Sequence, residues 1–308
     1  MPMWTCDFAN CEEPAVRNLG DCILCSRHLC PEHIQHSFHK CPKWEVSLAL
    51  ELHRYQLTNS PRTRKDADRY DPAAQVAEAE ELTELINKIN VPALAARASS
   101  LRGGIPCSIP PLQYDRETRS SVMGGMNYHI EICFDDGIKW IARVCRFNAT
   151  SSPTSLRNYI IQSEVATLKF LERTSVPVPK VFDFVLDNSD CPVGVGYILM
   201  EKLDGKSLKW SNATQDQRKR VMEQLADVFI ELSRYSFDPL GSLHCPCDVH
   251  HVGEFARESL TDFTESGMRT MGPFSSLKEY HESSIRLILD LILRGEMYSE
   301  QAVDALGT

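Results

Sequence analysis

Eight potential metal ligands lie between Cys6 and Cys41, and their spacing constrains the fold more than any other feature of the chain. They are Cys6, Cys11, Cys22, Cys25, Cys30, His33, His39 and Cys41, in the pattern C-x4-C-x10-C-x2-C-x4-C-x2-H-x5-H-x-C. Thiolate and imidazole are the donors zinc prefers, and eight of them fill two tetrahedra with no position left for water. The spacing therefore predicts two structural zinc ions. A segment this short buries too little apolar surface to fold alone, so ligation must supply most of its folding free energy, on the order of 10 kcal/mol per site.

A disulfide framework is the competing use of dense cysteine. It needs an oxidising compartment, yet Met1 to Cys6 is short and polar-aromatic rather than an apolar signal, and interleaved histidines add nothing to disulfides. Zinc in a reducing cytosol or nucleus is the expectation. The segment from Cys6 to Trp44 resembles the AN-one-type zinc finger, a cross-braced module of stress-associated and ubiquitin-linked proteins, through all eight ligands, Phe38 and the Cys41-Pro42 ending. The first cysteine pair departs from the commoner family spacing, which has two residues between them where this chain has four. The resemblance implies that Cys6, Cys11, Cys30 and His33 hold one ion and that Cys22, Cys25, His39 and Cys41 hold the other. It also implies a protein partner for the finger, of the ubiquitin- or stress-linked kind. His28 and His36 are read as surface histidines, since both tetrahedra are already full.

The remainder of the 308 residues has an ordinary globular composition, with 43% hydrophobic content. A net charge of −9 argues against a broad nucleic-acid or anionic-membrane surface. No apolar run approaches the roughly 18 residues needed to span a bilayer. Val46, Leu50, His53 and Leu57 recur at helical spacing over Glu45 to Leu57, and Thr58 to Asp71 alternates in charge as a solvated linker. Asp71 and Pro72 then start an amphipathic helix carrying Val76, Leu82, Leu85, Ile86 and Ile89, which ends before Pro92. Pro106, Pro110 and Pro111 mark a further connector.

From Ser120 the period changes to two. Gly124-Gly125 makes a flexible turn, Tyr128 to Cys133 alternates, Asp135-Asp136-Gly137 predicts a tight hairpin, and Ile138 to Phe147 returns as its second strand. Tyr159 to Arg173 reads as a helix with Val165, Leu168 and Leu171 on one face, and strands follow at Val181 to Leu186 and Gly196 to Glu201. This is a small antiparallel sheet with one crossing helix.

That order resembles the small lobe of the kinase-like fold, in the aminoglycoside-phosphotransferase form elaborated in fungal proteins, over about residues 95 to 308. Four pieces carry the likeness: Gly124-Gly125-x-Asn127; Trp140-Ile-Ala-Arg143; Ser163-Glu164-Val-Ala-Thr-Leu-Lys-Phe-Leu171 with Val176-Pro-Val-Pro-Lys180; and Tyr197-Ile-Leu-Met-Glu-Lys-Leu-Asp-Gly205. The resemblance implies ATP and magnesium as ligands. Backbone N–H groups of the Gly124, Gly125, Asn127 turn would approach phosphates, Arg143 would be the strand cation on them, and Glu164 would hold that cation. The main chain from Glu201 to Leu203 would face the adenine ring. Arginine in place of lysine offers a planar fork with a different reach. The same residues serve equally as a strand-to-helix salt bridge and a closed hairpin.

The second half is expected to be helical. Thr214 and Gln217 form a capping box for a helix to Tyr235, with Val221, Leu225, Val228, Phe229 and Leu232 on its buried face. Ser276 and Glu279 cap another, running through Ile285, Ile288, Leu289 and Ile292 to Gly295, and Ser299 starts a last short helix. Phosphoryl transfer also needs an acceptor-orienting aspartate and metal-binding asparagine and aspartate. The sequence contains no His-x-Asp-x4-Asn loop; Cys247-Asp248-Val249-His250 and Thr261-Asp262-Phe263 lack the partners and the spacing. By the resemblance that loop would come beyond residue 308. His244, Cys245, Cys247, His250 and His251 have metal-ligand types, but Cys-x-Cys is a tight bite stiffened by Pro246, and a proline-bearing loop is the reading. Cys133 and Cys145 are read as small core hydrophobes.

The expectation is thus an α+β chain in four parts. Residues 1–44 form the finger, 45–111 a helical linker, 112–205 the kinase-like small lobe, and 206–308 a partial second lobe lacking the catalytic loop. In function it is a zinc-binding interaction protein whose phosphotransferase-like region does not catalyse. The alternative is an ATP-dependent small-molecule phosphotransferase of which this chain is a truncated copy.

Overall fold

The computed structural model describes residues 1–17, 21–22, 25–34, 41, 65–114, 123, 126–148, 151–188, 190–205, 208–244 and 251–297. His36, Phe38, His39, Gly124, Gly125, Cys245, Cys247, His250 and the expected helices at 45–57 and from Ser299 lie outside them.

The N-terminal module has almost no regular structure. Strands β1 (Asp21–Cys22) and β2 (Arg27–His28) pair antiparallel, and one turn of helix, α1 (Pro31–Ile34), follows. Ser26 takes a positive φ of 56°, which brings its N–H to the Cys22 carbonyl at 2.7 Å and tightens the turn through Cys25. Among the described residues its apolar clusters are small: Cys6, Leu29 and Cys30 flanked by Phe8 and Cys11, and Cys41 with Cys22 and Cys25 against Ala77. Most of their members are candidate ligands, so little is left to hold the fold by burial alone.

Helix α2 (Lys65–Lys88) starts before Asp71-Pro72, so the end of the expected linker is helical. Lys65 to Tyr70 contains no glycine or β-branched residue, and nothing in its local propensity stops the helix there. Helix α3 (Val91–Leu101) is one the sequence analysis does not anticipate. Pro92, read as a stop, is its first-turn proline, and the Asn90 side chain caps it by accepting from the Ala93 N–H at 3.1 Å.

Five antiparallel strands make the central sheet: β3 (Cys107–Ser108), β4 (Asn127–Phe134), β5 (Lys139–Cys145), β6 (Val181–Val185) and β7 (Tyr197–Glu201), in the order β3-β4-β5-β7-β6. β3 escapes sequence reading because it is two residues long and flanked by prolines. The hairpin between β4 and β5 is the expected one: Gly137 sits at φ +85° and its N–H bonds the Phe134 carbonyl at 2.9 Å. Alternation then sorts the faces. Tyr128, Ile130, Ile132 and Phe134 join Trp140, Ala142 and Val144 in one core, which also takes in Leu82, Leu85, Ile89, Leu94 and Ala98 of α2 and α3. The helices expected to link the finger to the lobe therefore pack against the sheet. Buried Arg146 reinforces that packing, since Glu81 takes it bidentately at 2.8 Å and Glu78 lies at 3.2 Å.

Helix α4 (Thr154–Leu171) crosses the opposite face, where Ile161 and Val165 pack with Val181, Ile198 and Met200. It begins five residues before the expected Tyr159, and Phe170 rather than Leu171 is its last buried side chain. Cys145 packs against this second core, as expected. Cys133 is only half-buried and donates to Glu131 at 3.3 Å instead.

Past the sheet lie α5 (Gln215–Leu232), the hairpin β8–β9 (Ser242–His244, His251–Gly253), the hairpin β10–β11 (Thr261–Thr264, Gly267–Thr270) and α6 (Leu277–Leu293). The capping box of Thr214 and Gln217 forms as the sequence implies. The face expected to be buried does not: Phe229 is 69% exposed, and Leu225 and Leu232 are exposed too. Glu231 is the buried residue of α5, accepting from the Ser175 N–H and the Tyr235 hydroxyl at 3.2 Å each. Helical periodicity fixes which residues share a face, not whether anything covers it, and no described element packs on this one. On α6, Leu287 and Leu291 are buried, whereas Ile285 and Leu289 face outward. No described helix is long and apolar enough to cross a membrane.

Candidate metal centres and nucleotide face

Chain reversal at Thr5, where a bridge to Pro14 forms, brings Cys6 and Cys11 back beside Cys30 and His33. Single donor atoms of Cys6, Cys11, Cys30 and His33 all lie within 4.8 Å of one another, and those of Cys22, Cys25 and Cys41 form a second such group. Donors from the two groups alternate along the chain, the grouping a cross-brace implies. His39, the fourth donor expected in the second group, lies outside the described residues.

The edges suit a tetrahedral ion. With metal–sulfur bonds of about 2.3 Å, a tetrahedron has sulfur–sulfur edges of about 3.8 Å. Cys11 and Cys30 sulfurs are 3.9 Å apart, as are those of Cys22 and Cys41. The His33 Nδ1 lies 3.4 Å from the Cys6 sulfur and 3.1 Å from that of Cys30. Phe8 stacks on the His33 ring at 4.0 Å and fixes its plane. These residues can hold metal ions.

The thiols gain from a cation. A Glu13 backbone hydrogen bond lowers the Cys11 pKa, but burial and the adjacent Cys6 and Cys30 sulfurs outweigh it and push it up to about 11. Cys22 beside it, then burial and Cys41, push the Cys25 thiol well above the ordinary value. Converging sulfurs resist sharing negative charge, and a dication removes that resistance. His28 is no ligand: it stacks on Trp4 at 4.7 Å and its Nδ1 lies 3.2 Å from Asp7.

On the α4 side of the sheet, Arg143 and Glu164 form a bidentate ion pair from β5 to α4. Glu164 takes both terminal nitrogens of Arg143, and its Nε is buried with no partner among the described residues. Directly across the ladder from Arg143 stands His129, whose pKa is lowered by burial and by the arginine charge. His129 escapes motif reading, though strict alternation along β4 already puts it on the face of Asn127. Farther along, Glu131 accepts from Lys139 at 2.6 Å and pairs with Lys202; these lysines draw its pKa down to about 2. At the end of β7, Glu201 and the following Lys202 donate their N–H groups to the Lys180 and Lys139 carbonyls, and Leu203 beyond them is 54% exposed.

The five-stranded order with one crossing helix and a strand-to-helix ion pair is a mixed helix and antiparallel-sheet arrangement compatible with a kinase-like region. Comparison with known proteins agrees: residues 134–263 match the phosphotransferase enzyme family (APH). A "subtelomeric hrmA-associated cluster protein" of Aspergillus fumigatus is 31% identical over 173 residues, 54% of this chain and 31% of that protein. "Altered inheritance of mitochondria protein 9, mitochondrial" of Komagataella phaffii is 34% identical over 109 residues, 32% of this chain and 17% of the relative. Its Candida glabrata namesake is 28% identical over 137 residues, 37% and 21% of the two chains. The chain thus spans about a third or less of the length of these curated relatives.

Proposed function

We propose that the chain is a zinc-binding interaction protein of the AN-one-type, carrying a phosphotransferase-like region that does not itself catalyse. The observation that carries this reading is the convergence of Cys6, Cys11, Cys30 and His33 within 4.8 Å, a closed three-sulfur, one-imidazole set. A closed set has no open position for substrate, so the ions are structural and the module's role is recognition, with a ubiquitin- or stress-linked protein as the partner. Within residues 1–308 no His-x-Asp-x4-Asn loop occurs, so the acceptor-orienting role has no candidate residue in this stretch. Cytosol or nucleus suits the reduced thiols; the mitochondrial name of the Komagataella relative points to a rival compartment that imaging of the tagged chain would test. Zinc measured by atomic absorption after dialysis should give two ions per chain, and fewer than two would contradict the cross-brace.

The second reading, an ATP-dependent small-molecule phosphotransferase, draws on the family match and the Arg143–Glu164 pair. Asn127, Arg143, Glu164, Glu201 and Leu203 would line the nucleotide, and the unpartnered Arg143 Nε is a donor a phosphate would satisfy. Under this reading Mg-ATP raises the melting temperature of the intact chain; an unchanged melt removes it.

A further inference from the structure

Three carboxylate-bearing or arginine-bearing elements far apart in sequence meet in one buried ionic cluster. Glu296 is fully buried, Arg17 is 4% exposed and Asp262 is 6% exposed. Arg17 donates its Nε to Glu296 at 2.9 Å and a terminal nitrogen to the Thr261 carbonyl at 2.7 Å. The Met3 N–H also donates to the Glu296 carboxylate at 3.0 Å, and the Arg17 N–H to the Glu296 carbonyl at 2.9 Å. Arg294 joins the set, with a terminal nitrogen 2.7 Å from Asp262 and another 3.4 Å from Glu296. With Arg269, 3.5 Å from Asp262, three arginines surround the two carboxylates, and one of them, Arg17, belongs to the N-terminal module.

Arg17 lies next to the candidate metal frame. Its neighbour Val16 donates to the Leu29 carbonyl at 2.9 Å, next to the ligand Cys30, and the Cys6 N–H donates to Glu13 at 2.8 Å. The module's apolar cluster consists largely of ligands; beside ligation, the loops bearing Met3 and Arg17 are ordered by burial of Met3, Ala15 and Val16 and by the Ala15 N–H donating to the Trp4 carbonyl at 2.9 Å. At the opposite side, Cys22, Cys25 and Cys41 pack against Ala77 of α2. One metal group therefore abuts β10 and the turn after α6, and the other abuts the helix that covers the sheet.

We infer that the two-metal module is an internal brace: with zinc bound it holds β10 and the Arg294–Glu296 turn through Arg17 and Met3, and without zinc it releases them. A carboxylate buried as deeply as Glu296 cannot stay in place once its donors leave, because an unpaired buried charge must reach water or protonate. The segment between β9 and β10 has its own attachment, since the Tyr159 hydroxyl donates to Glu254 and the Ser152 hydroxyl to Glu258. Release is therefore local to 261–264 and 294–297. The brace also restricts recognition, because any partner must use faces of the module not turned to Glu296 or Ala77.

This inference rests on zinc binding, and its test separates the two. Hydrogen exchange is followed by mass spectrometry on the full chain loaded with zinc and after chelation, with zinc per chain measured in parallel. Chelation should raise exchange about tenfold at Thr261–Thr264 and Arg294–Glu296 and leave β5 and β7 protected. Arg17→Leu should keep its zinc yet show the raised exchange before chelation, with no further rise after it. The isosteric Glu296→Gln, which keeps the packing, should do the same more weakly. Zinc bound normally, with exchange at those segments indifferent to chelation, overturns the brace and spares the zinc reading. Absence of bound zinc overturns both.

Discussion

Replacing Arg146 with methionine tests whether α2 belongs to the sheet's core or merely leads to it. The guanidinium, just past the end of β5, is 6% exposed and is held by Glu81 in two contacts of 2.8 Å and by Glu78 at 3.2 Å. Burial alone would lower the Arg146 pKa, yet these carboxylates raise it. Methionine keeps the apolar stem but strips both carboxylates of this cation, leaving Glu81 the Asn148 amide at 3.2 Å and Glu78 the Tyr114 hydroxyl at 2.9 Å among their donors. Removing one partner of a buried ion pair costs about 3–5 kcal/mol. Side-chain exposures of 17% for Glu78 and 12% for Glu81 let some water in, which puts this case at the lower end, about 3 kcal/mol. For a unit of this size that is a fall in melting temperature of roughly 6–12 °C. Adding Glu78→Gln and Glu81→Gln removes the stranded charges and should recover about 2 kcal/mol of the loss. Urea unfolding of wild type, single and triple variants gives the numbers. A single-variant loss below about 1 kcal/mol, or a triple variant no better than the single, refutes the argument.

Arg143→Ala should abolish any Mg-ATP-induced rise in melting temperature while zinc content stays constant; a rise that survives would move the nucleotide away from this face. The pKa of His129 is lowered from 6.5, first by burial and then by Arg143, so the unfolded chain binds its proton more readily than the folded one. Stability from this source is present above pH 6.5 and is lost as pH falls below it, and His129→Gln should flatten the melting profile over that range. An identical profile in the variant would assign the acid lability elsewhere, with His244, also lowered chiefly by burial, the next group to replace.

Legibility in the sequence followed the locality of the signal. The hairpin at Asp135-Asp136-Gly137 is encoded by one positive-φ glycine and two alternating runs, and it forms where those predict. The ion pair of Arg143 with Glu164 was readable because strand and helix positions each carry a charge at a place the kinase-like order makes adjacent. The grouping of the metal donors came from the resemblance to a cross-braced finger, since spacing alone does not say which donors share an ion. α3 was hidden because Pro92 both stops one helix and starts the next, and only the Asn90 cap decides between them. The Arg17–Glu296 contact was beyond reach for a different reason: it joins positions 279 residues apart, and no periodicity links the two ends of a chain.

Helix α5 shows how far patterning alone can mislead. Its sequence has an apolar stripe through Leu225, Phe229 and Leu232, and the inference that a stripe is buried is sound wherever a second element lies against it. Here the helix is fastened by the opposite residue, Glu231, which binds the Ser175 N–H at the end of α4 and the Tyr235 hydroxyl, while the Phe170 ring meets Tyr235 and Phe237 edge-on at 5.2 Å and 5.3 Å. A polar anchor of this kind fixes orientation without requiring apolar cover. The N-terminal module is likewise held by an ionic contact, at Glu296, beside a small set of buried apolar side chains. The sheet and its three helices are held by hydrophobic packing, whereas the parts around them are attached through directional polar contacts. Charge removal should therefore detach the outer parts selectively, while apolar truncation in the sheet should unfold the lobe.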